Sequence, residues 1–147
     1  MKIYVDADGS PIVNIATKVA KEFDLEIIVV KNFAHLIDDD YAQVISVDIS
    51  QDSADLYIVN HLSKGDIVIT QDYGLAALSL AKGSYILNQN GMRFTKDNID
   101  NMLNRRHIHA KIRRQGKNHS KVKKRNKDAD KKFETSLKEL ILHVQTQ

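Results

Sequence analysis

Short runs of consecutive hydrophobic residues, typical of buried strands, recur along the first part of the chain. They predict five strands, over residues 2–6, 25–30, 44–47, 66–70 and 84–87. Most of the segments between these runs carry hydrophobic residues at helical spacing. Strands that are mostly hydrophobic and that alternate with helices indicate a parallel sheet covered by helices on both faces.

The predicted helices have recognisable start and stop signals. Ser10 is predicted to cap the first helix, with Pro11 at its first position, where the missing N–H leaves no hydrogen bond unmade. The second helix is predicted to begin at residue 52 or 53 and to stop before Gly65. Thr95 is predicted to open the fourth helix.

The pattern changes in the last part of the chain. Residues 113–127 contain eight Lys or Arg and no acid. The helix predicted after them has a single hydrophobic face, formed by Phe133, Leu137, Leu140, Ile141 and Val144. We therefore predict a three-layer α/β/α domain with a mostly parallel central sheet over residues 1–112. A basic segment over residues 113–127 and a C-terminal helix over residues 128–147, packed on the same domain, form the predicted extension.

Composition narrows the class of protein. A chain of 147 residues with 42% hydrophobic content is enough for one domain with one sizeable core. Cysteine is absent, which excludes disulfides and thiolate metal sites. No hydrophobic run approaches the length of a membrane-spanning helix, so we expect a cytoplasmic protein with no membrane partner. A homodimer is compatible with the sequence.

The net charge of +3 hides a strong asymmetry between the two parts of the chain. Residues 105–147 contain 14 Lys or Arg and four Asp or Glu, giving +10, whereas residues 1–104 carry −7. Clustered cations displace counterions from phosphates, which favours a polyanionic partner. The alternative is a solvated, partly disordered tail.

Acidic residues follow three of the predicted strands. Asp6 and Asp8 come directly after the first strand, and Asp72 follows the fourth. Asp52 and Asp55 follow the third strand, where either could instead serve as a helix cap. Ligands of open parallel sheets bind at the carboxyl ends of the strands, so these acids are predicted to converge there. Asp66 opens its strand instead, and we expect it at the opposite edge with a structural role.

Carboxylates that converge on one edge repel one another unless a cation is bound or some are protonated. Mg²⁺ or Mn²⁺ prefers oxygen ligands and usually completes its shell with water and substrate phosphate. We therefore predict Asp6, Asp8, Asp55 and Asp72 as metal ligands and catalytic residues, with Asp52 as a further candidate. Supporting hydrogen bonds are predicted from Ser10, Asn32, Thr70 and Asn88.

The basic residues of the C-terminal part are the predicted contacts to the phosphate backbone of RNA. They are Arg105, Arg106, Arg113, Arg114, Lys117, Lys121, Lys123, Lys124 and Arg125.

In combination, the motifs of the chain resemble the uncharacterised bacterial YaiI/YqxD-type family (UPF0178) over nearly the whole length. The motifs that carry this resemblance are Val5–Pro11, Asp52–Asp55, Gly65–Asp72, Leu75–Ala77, Lys82-Gly83, Leu87-Asn88 with Gly91, Asn98-Ile99 and Arg105-Arg106. That family is related to the PIN-like nuclease domains, so the resemblance implies a PIN-like fold and a Mg²⁺/Mn²⁺ site that cuts RNA.

This chain departs from those patterns at three places. Gly9-Ser10 stands where the family commonly has Ala-Cys, and Asn118–Lys121 replaces a Gly-Gly-Pro segment. PIN nucleases usually place a Glu on a helix in the first half of the chain, and here the first helix offers only Glu22, near its end.

Three functions are consistent with the sequence. The first is a divalent-metal-dependent nuclease or phosphodiesterase acting on RNA. The second is a non-catalytic RNA-binding module that retains a vestigial acidic site. The third is an aspartate-nucleophile phosphatase, because Asp6-x-Asp8-x-Ser10 resembles the Asp-x-Asp-x-Thr signature of haloacid-dehalogenase-like enzymes.

Overall fold

The computed structural model describes residues 1–7, 10–32, 39–48, 53–104 and 125–147. These residues form a six-stranded sheet with helices on both faces. The strands are β1 (Lys2–Asp6), β2 (Glu26–Asn32), β3 (Gln43–Val47), β4 (Ile67–Ile69), β5 (Tyr85–Leu87) and β6 (Arg93–Phe94). The helices are α1 (Val13–Glu22), α2 (Ser53–His61), α3 (Tyr73–Ala81), α4 (residues 99–104 of the described chain) and α5 (Lys127–Gln145).

The order of strands across the sheet is β3-β2-β1-β4-β5-β6. The first five strands are parallel to their neighbours, and only β6 pairs antiparallel, with β5. From β1, the next strands β2 and β3 are added toward one edge of the sheet, and β4, β5 and β6 are added toward the other edge. The direction in which strands are added therefore reverses between β1 and β4. Sheets of this kind bind ligands beyond the carboxyl ends of the strands at the reversal.

Side-chain alternation along the strands creates two cores. Ile3 and Val5 of β1 belong to the core beneath α1 and α5, whereas Tyr4 belongs to the core beneath α2, α3 and α4. Because alternate residues of a strand face opposite sides, Asp6 lies on the same side as Tyr4. The three-layer α/β/α architecture predicted from the sequence is confirmed.

The C-terminal helix α5 contributes directly to the first core. Its buried residues Phe133, Leu137, Leu140 and Ile141 pack in the same cluster as the β1 and α1 side chains. Lys138 of α5 is 3.2 Å from Glu22 of α1, and this contact, together with Glu134, raises the pKa of the Lys138 ammonium.

Some predicted boundaries are wrong. Ser10 does not cap the first helix, because the helix begins at Val13 and Ser10 lies two residues before the N-cap position. The Ser10 N–H is donated to the Ala7 carbonyl at 3.1 Å. The helix begins two residues beyond Pro11, and Ile12 at the N-cap position provides no side-chain hydrogen bond. The second helix ends at His61 rather than immediately before Gly65, which has φ +89° in the turn that leads to β4.

The antiparallel strand β6 was not predicted. It has two residues, Arg93 and Phe94, which is too short to produce a periodic pattern. Just after it, the Thr95 N–H is donated to the Asn98 side chain at 2.8 Å, and the Asn98 N–H is donated back to the Thr95 hydroxyl at 3.3 Å. This reciprocal pair stabilises the turn that opens α4.

Within the part of the chain that the structure describes, no helix combines the length and the apolar character that crossing a membrane requires.

Candidate functional site

Asp6 is the last residue of β1 and Thr70 directly follows β4, so the two lie on either side of the reversal in strand order. Val5 of β1 is in register with Ile69 of β4, so the next residues of the two strands lie side by side. The Thr70 hydroxyl donates a hydrogen bond to Asp6 Oδ2 at 2.9 Å, and Thr70 is 1% exposed. A buried hydroxyl therefore fixes the orientation of the Asp6 carboxylate on the α2/α3 side of the sheet.

The same hydroxyl also positions Asp72. Thr70 Oγ1 accepts a hydrogen bond from the Asp72 N–H at 3.0 Å. Asp72 is the N-cap of α3, where its Oδ1 accepts a hydrogen bond from the Leu75 N–H at 3.0 Å. Asp6, Thr70 and Asp72 consequently form one hydrogen-bonded chain, which ends at the first turn of α3.

Asp55 lies in the first turn of α2, on the other side of a cavity that Asp72 also lines. This cavity has a volume of about 480 Å³. We call it the α2–α3 groove. Besides the two acids, hydrophobic or small residues line it, namely Leu56, Val59, Gly74, Ala77, Leu78 and Leu103.

The carboxylates of the described residues are hard oxygen donors, of the kind that Mg²⁺ and Mn²⁺ take. Asp6 is linked to Asp72 through Thr70, and Asp72 faces the groove together with Asp55. Among the residues that the structure describes, however, no group of three or more Asp, Glu or His side chains could hold one ion. The predicted ligands Asp8 and Asp52 lie outside the described residues. The carboxylates of Asp6, Asp55 and Asp72 suit a cation that binds one or two carboxylates and completes its coordination shell with water and phosphate oxygens.

The other predicted supporting residues have varied positions. The N–H of Ser10 closes the turn after β1, and Asn32 ends β2. The Asn88 side chain accepts hydrogen bonds from the N–H groups of Asn90 and Met92, both at 2.9 Å, and so holds the turn between β5 and β6. Of the four supporting residues, Thr70 is the one whose described contacts join two of the predicted acids.

Lys31 was not singled out from the sequence. It directly follows the buried apolar run 27–30 of β2, is 8% exposed and lies one residue before the carboxyl end of the strand. Val29, two residues earlier in the strand, belongs to the core beneath α1 and α5. Because every second residue of a strand faces the same side, Lys31 also faces the α1 side of the sheet. Its ammonium donates to the Asn32 carbonyl at 3.4 Å, a long contact for a buried cation. The signal that could have found it is a lysine within a run of buried positions, which is rare in strands without a purpose.

The predicted RNA-binding residues fall mostly outside the described part of the chain, which contains only Arg125 of the nine. Its guanidinium donates to Asp130 Oδ1 at 2.5 Å, to the Gln89 carbonyl at 2.7 Å and to Asn90 Oδ1 at 3.4 Å. These contacts attach the start of α5 to the β5–β6 turn. The structure thus gives Arg125 a structural role that the charge pattern did not indicate.

Two further acids lie away from the candidate site. Asp66 is buried at the amino end of β4, where it accepts hydrogen bonds from the N–H groups of Lys2 and Ser63, both at 2.9 Å. The predicted structural role of Asp66 is confirmed. Glu22, at the end of α1, forms an ion pair with Lys138 and does not supply the Glu typical of PIN nucleases.

Comparison with known proteins identifies the family. The family described as "Uncharacterized BCR, YaiI/YqxD family" matches residues 4–143. A UPF0178 protein of Alkaliphilus oremlandii is 49% identical over 93% of this chain and 88% of its own length. A UPF0178 protein of Natranaerobius thermophilus is 48% identical over 99% of both chains. No solved structure matches. The extent of the family match and the identity of these full-length relatives establish that this chain belongs to the YaiI/YqxD family.

Proposed function

We propose that this protein is a divalent-metal-dependent phosphodiesterase that cuts RNA, with Mg²⁺ or Mn²⁺ as its cofactor. One observation supports this proposal above all others. A buried hydroxyl, that of Thr70, holds the Asp6 carboxylate and the Asp72 backbone together at the reversal in strand order. A preorganised carboxylate at this point of a parallel sheet is suited to binding a cation.

In this proposal, some residues bind the metal and others hold those ligands in position. Asp6 and Asp72 would hold the metal, with Asp55, which lines the same cavity as Asp72, and Asp8, two residues beyond Asp6 in the sequence, as the other proposed ligands. When bound, the metal would neutralise charge on the phosphodiester and make a water molecule a better nucleophile. Thr70 keeps Asp6 in one orientation, and the hydrogen bond from Leu75 does the same for Asp72. Fixed ligands lose little conformational entropy when the cation binds.

The charge distribution supports RNA as the substrate. Residues 105–124 contain nine Lys or Arg and no acid. They follow α4 directly, and Leu103 of that helix lines the same groove as Asp55 and Asp72. A run of cations with no acid among them is suited to holding the phosphate backbone of RNA.

Calorimetric titration with Mn²⁺ and a cleavage assay on single-stranded RNA test this proposal together. We expect wild-type protein to bind Mn²⁺ and to cut RNA, and we expect Asp6→Asn to lose both activities while keeping its thermal stability. Glu26→Gln is the matched control, because Glu26 lies at the amino end of β2, on the opposite edge of the sheet. If Asp6→Asn cuts RNA as fast as wild type, the activity belongs to a contaminating nuclease and the proposal fails.

A second candidate is a non-catalytic RNA-binding protein. It is favoured by residues 105–124, whose nine Lys or Arg with no acid can bind phosphates without any metal. RNA affinity that persists in EDTA and falls steeply with salt, without cleavage under Mg²⁺ or Mn²⁺, would select this function.

A further inference from the structure

The α2–α3 groove is a hydrophobic depression whose border is acidic. Leu56 is 61% exposed and Leu78 is 54% exposed, so two large hydrophobic side chains face solvent from the two helices that form it. Asp55 and Asp72, two of the proposed metal ligands, line the same space. Exposed hydrophobic surface beside a polar site is typical of ligand-binding clefts.

We propose that this groove holds one unpaired base of the RNA strand, next to the phosphate that the acidic site engages. This inference rests on the proposed function and adds to it a single-stranded substrate with a base-binding subsite. A nucleotide combines a neutral, flat, largely apolar base with a phosphate, and the groove combines a hydrophobic lining with carboxylates suited to a phosphate-bound cation. Its volume of about 480 Å³ is ample for one base.

The charge of the chain favours an RNA base in the groove over a fatty acid or a peptide. A fatty acid or an acidic peptide would bring uncompensated negative charge to Asp55 and Asp72. A basic peptide suits a chain that itself carries nine Lys or Arg and no acid in residues 105–124 less well than a polyanion does. An RNA strand satisfies both regions, because its phosphates suit the cations and its base suits the hydrophobic lining.

The lining also predicts how the base is recognised. Among the described residues that line the groove, those other than the two acids are aliphatic or glycine, and they hold the base by dispersion and desolvation. Such contacts tolerate every base. A base inside a duplex cannot enter the groove without losing its pair, so duplex RNA is excluded.

The test replaces both exposed leucines, as Leu56→Ser with Leu78→Ser. Leu142→Ser is the matched control, because Leu142 is 52% exposed on α5, on the other face of the sheet. The probe is a short single-stranded RNA with 2-aminopurine at one position, titrated with Ca²⁺ and again in EDTA so that the strand stays intact. We expect 2-aminopurine fluorescence to rise on binding to wild type, because the base leaves its stacked neighbours for an aliphatic lining.

In the double variant, we expect the fluorescence rise to be lost and the affinity for RNA to fall about tenfold. A strand with an abasic residue at the probe position should bind wild type and the double variant equally. Mn²⁺ binding, measured by calorimetry, should not change. Leu142→Ser should behave as wild type in each measurement.

Three results would overturn the base subsite. They are an unchanged fluorescence rise in the double variant, an equal loss of affinity for the abasic strand, and a change of oligomeric state with RNA binding intact, which would make the groove a subunit contact. A protein that binds no cation and cuts no RNA would refute the proposed function. The fluorescence measured in EDTA would still show whether the groove binds the base. Failure of the base subsite can therefore be distinguished from failure of the proposed function.

Discussion

The Thr70 hydroxyl lies 2.9 Å from Asp6 Oδ2, joining two strands whose residues are 64 positions apart in sequence. The same oxygen accepts the Asp72 N–H, so one buried hydroxyl serves as donor to one proposed ligand and as acceptor for another. Replacing it therefore perturbs both carboxylates at once.

Thr70→Val keeps the shape of the side chain and removes the hydroxyl. We expect Mn²⁺ affinity to fall by about 10- to 100-fold, as is usual when a group that orients a metal ligand is lost. The free energy of unfolding should fall by about 1–3 kcal/mol, because the Asp72 N–H loses its partner in a buried setting. Thr70→Ser retains the hydroxyl and should bind Mn²⁺ nearly as wild type. Equal Mn²⁺ affinity in the valine variant would show that Thr70 has no part in the metal site.

Asp72 has two separable roles, as the cap of α3 and as a proposed ligand. Asp72→Asn should preserve the cap, since asparagine accepts the same hydrogen bond, but should lose most Mn²⁺ affinity. Asp72→Ala should lose that affinity and also about 1 kcal/mol of unfolding free energy. Chemical denaturation and calorimetry on the two variants separate these effects. If Asp72→Asn binds Mn²⁺ as tightly as wild type, Asp72 is only the cap of α3 and not a metal ligand.

Much of the fold could be predicted from the sequence, because buried parallel strands are continuous hydrophobic runs. β1 and β4 have this pattern, and both were predicted close to their observed bounds. The start of α1 was not predictable in the same way. Ser10 and Pro11 have the residue types of a helix start, but residues 11 and 12 form a turn and the helix begins only at Val13.

The candidate site was predictable only in part. The rule that ligands bind at the carboxyl ends of strands drew attention to Asp6 and Asp72. Thr70 was predicted as a supporting residue of the site, but its partner Asp6 was not predicted, because the sequence does not give the order of the strands. Lys31 was missed for a related reason, since its burial depends on the helices that cover β2.

The contacts of Arg125 predict that its shape matters more than its charge. Arg125→Lys keeps the positive charge but cannot reach Asp130, Gln89 and Asn90 together. We expect it to lower the free energy of unfolding by about 1–2 kcal/mol and to leave RNA affinity unchanged. Lys123→Gln, in the basic segment, should have the opposite effects. It should weaken RNA binding and reduce the salt dependence of that binding, and it should leave the free energy of unfolding unchanged. Denaturation and RNA titration on both variants check this, and a large loss of RNA affinity in Arg125→Lys would contradict it.

Gly91 allows the β5–β6 turn to pass close to α5. It has φ +84°, and a Cβ there would lie 2.5 Å from Ser136 Oγ and 3.0 Å from the Lys132 carbonyl. Gly91→Ala should therefore cost about 3 kcal/mol or more, from backbone strain and overlap combined. Gly65 has a similar φ of +89° with open space around the Cβ position, so Gly65→Ala should cost only the strain, about 1 kcal/mol. Equal losses in thermal denaturation would show that the turn can move away from α5.

Tyr4 gives the fold a pH-dependent contribution at high pH. Its ring is 3% exposed beneath α2, and its hydroxyl donates to the His61 carbonyl at 3.1 Å. Burial raises the pKa of Tyr4 above its usual value of 10.0, and the negative charge of Asp66 adds to this effect. Because the folded state binds the phenolic proton more tightly than the unfolded chain does, this contribution is complete below about pH 10 and is lost as the pH rises through the raised pKa.

Tyr4→Phe should separate the hydrogen bond of Tyr4 from its titration. At neutral pH the variant should lose about 1 kcal/mol of unfolding free energy, because the His61 carbonyl loses its donor. Above about pH 10 the decline of stability with pH should be shallower than in wild type, since the group whose ionisation opposes folding is gone. Tyr41→Phe is the control, as it removes an exposed hydroxyl that is 2.6 Å from the Leu25 carbonyl while Tyr4 stays in place. Urea denaturation across this pH range measures both slopes, and equal slopes for Tyr4→Phe and wild type would assign the alkaline loss to other groups.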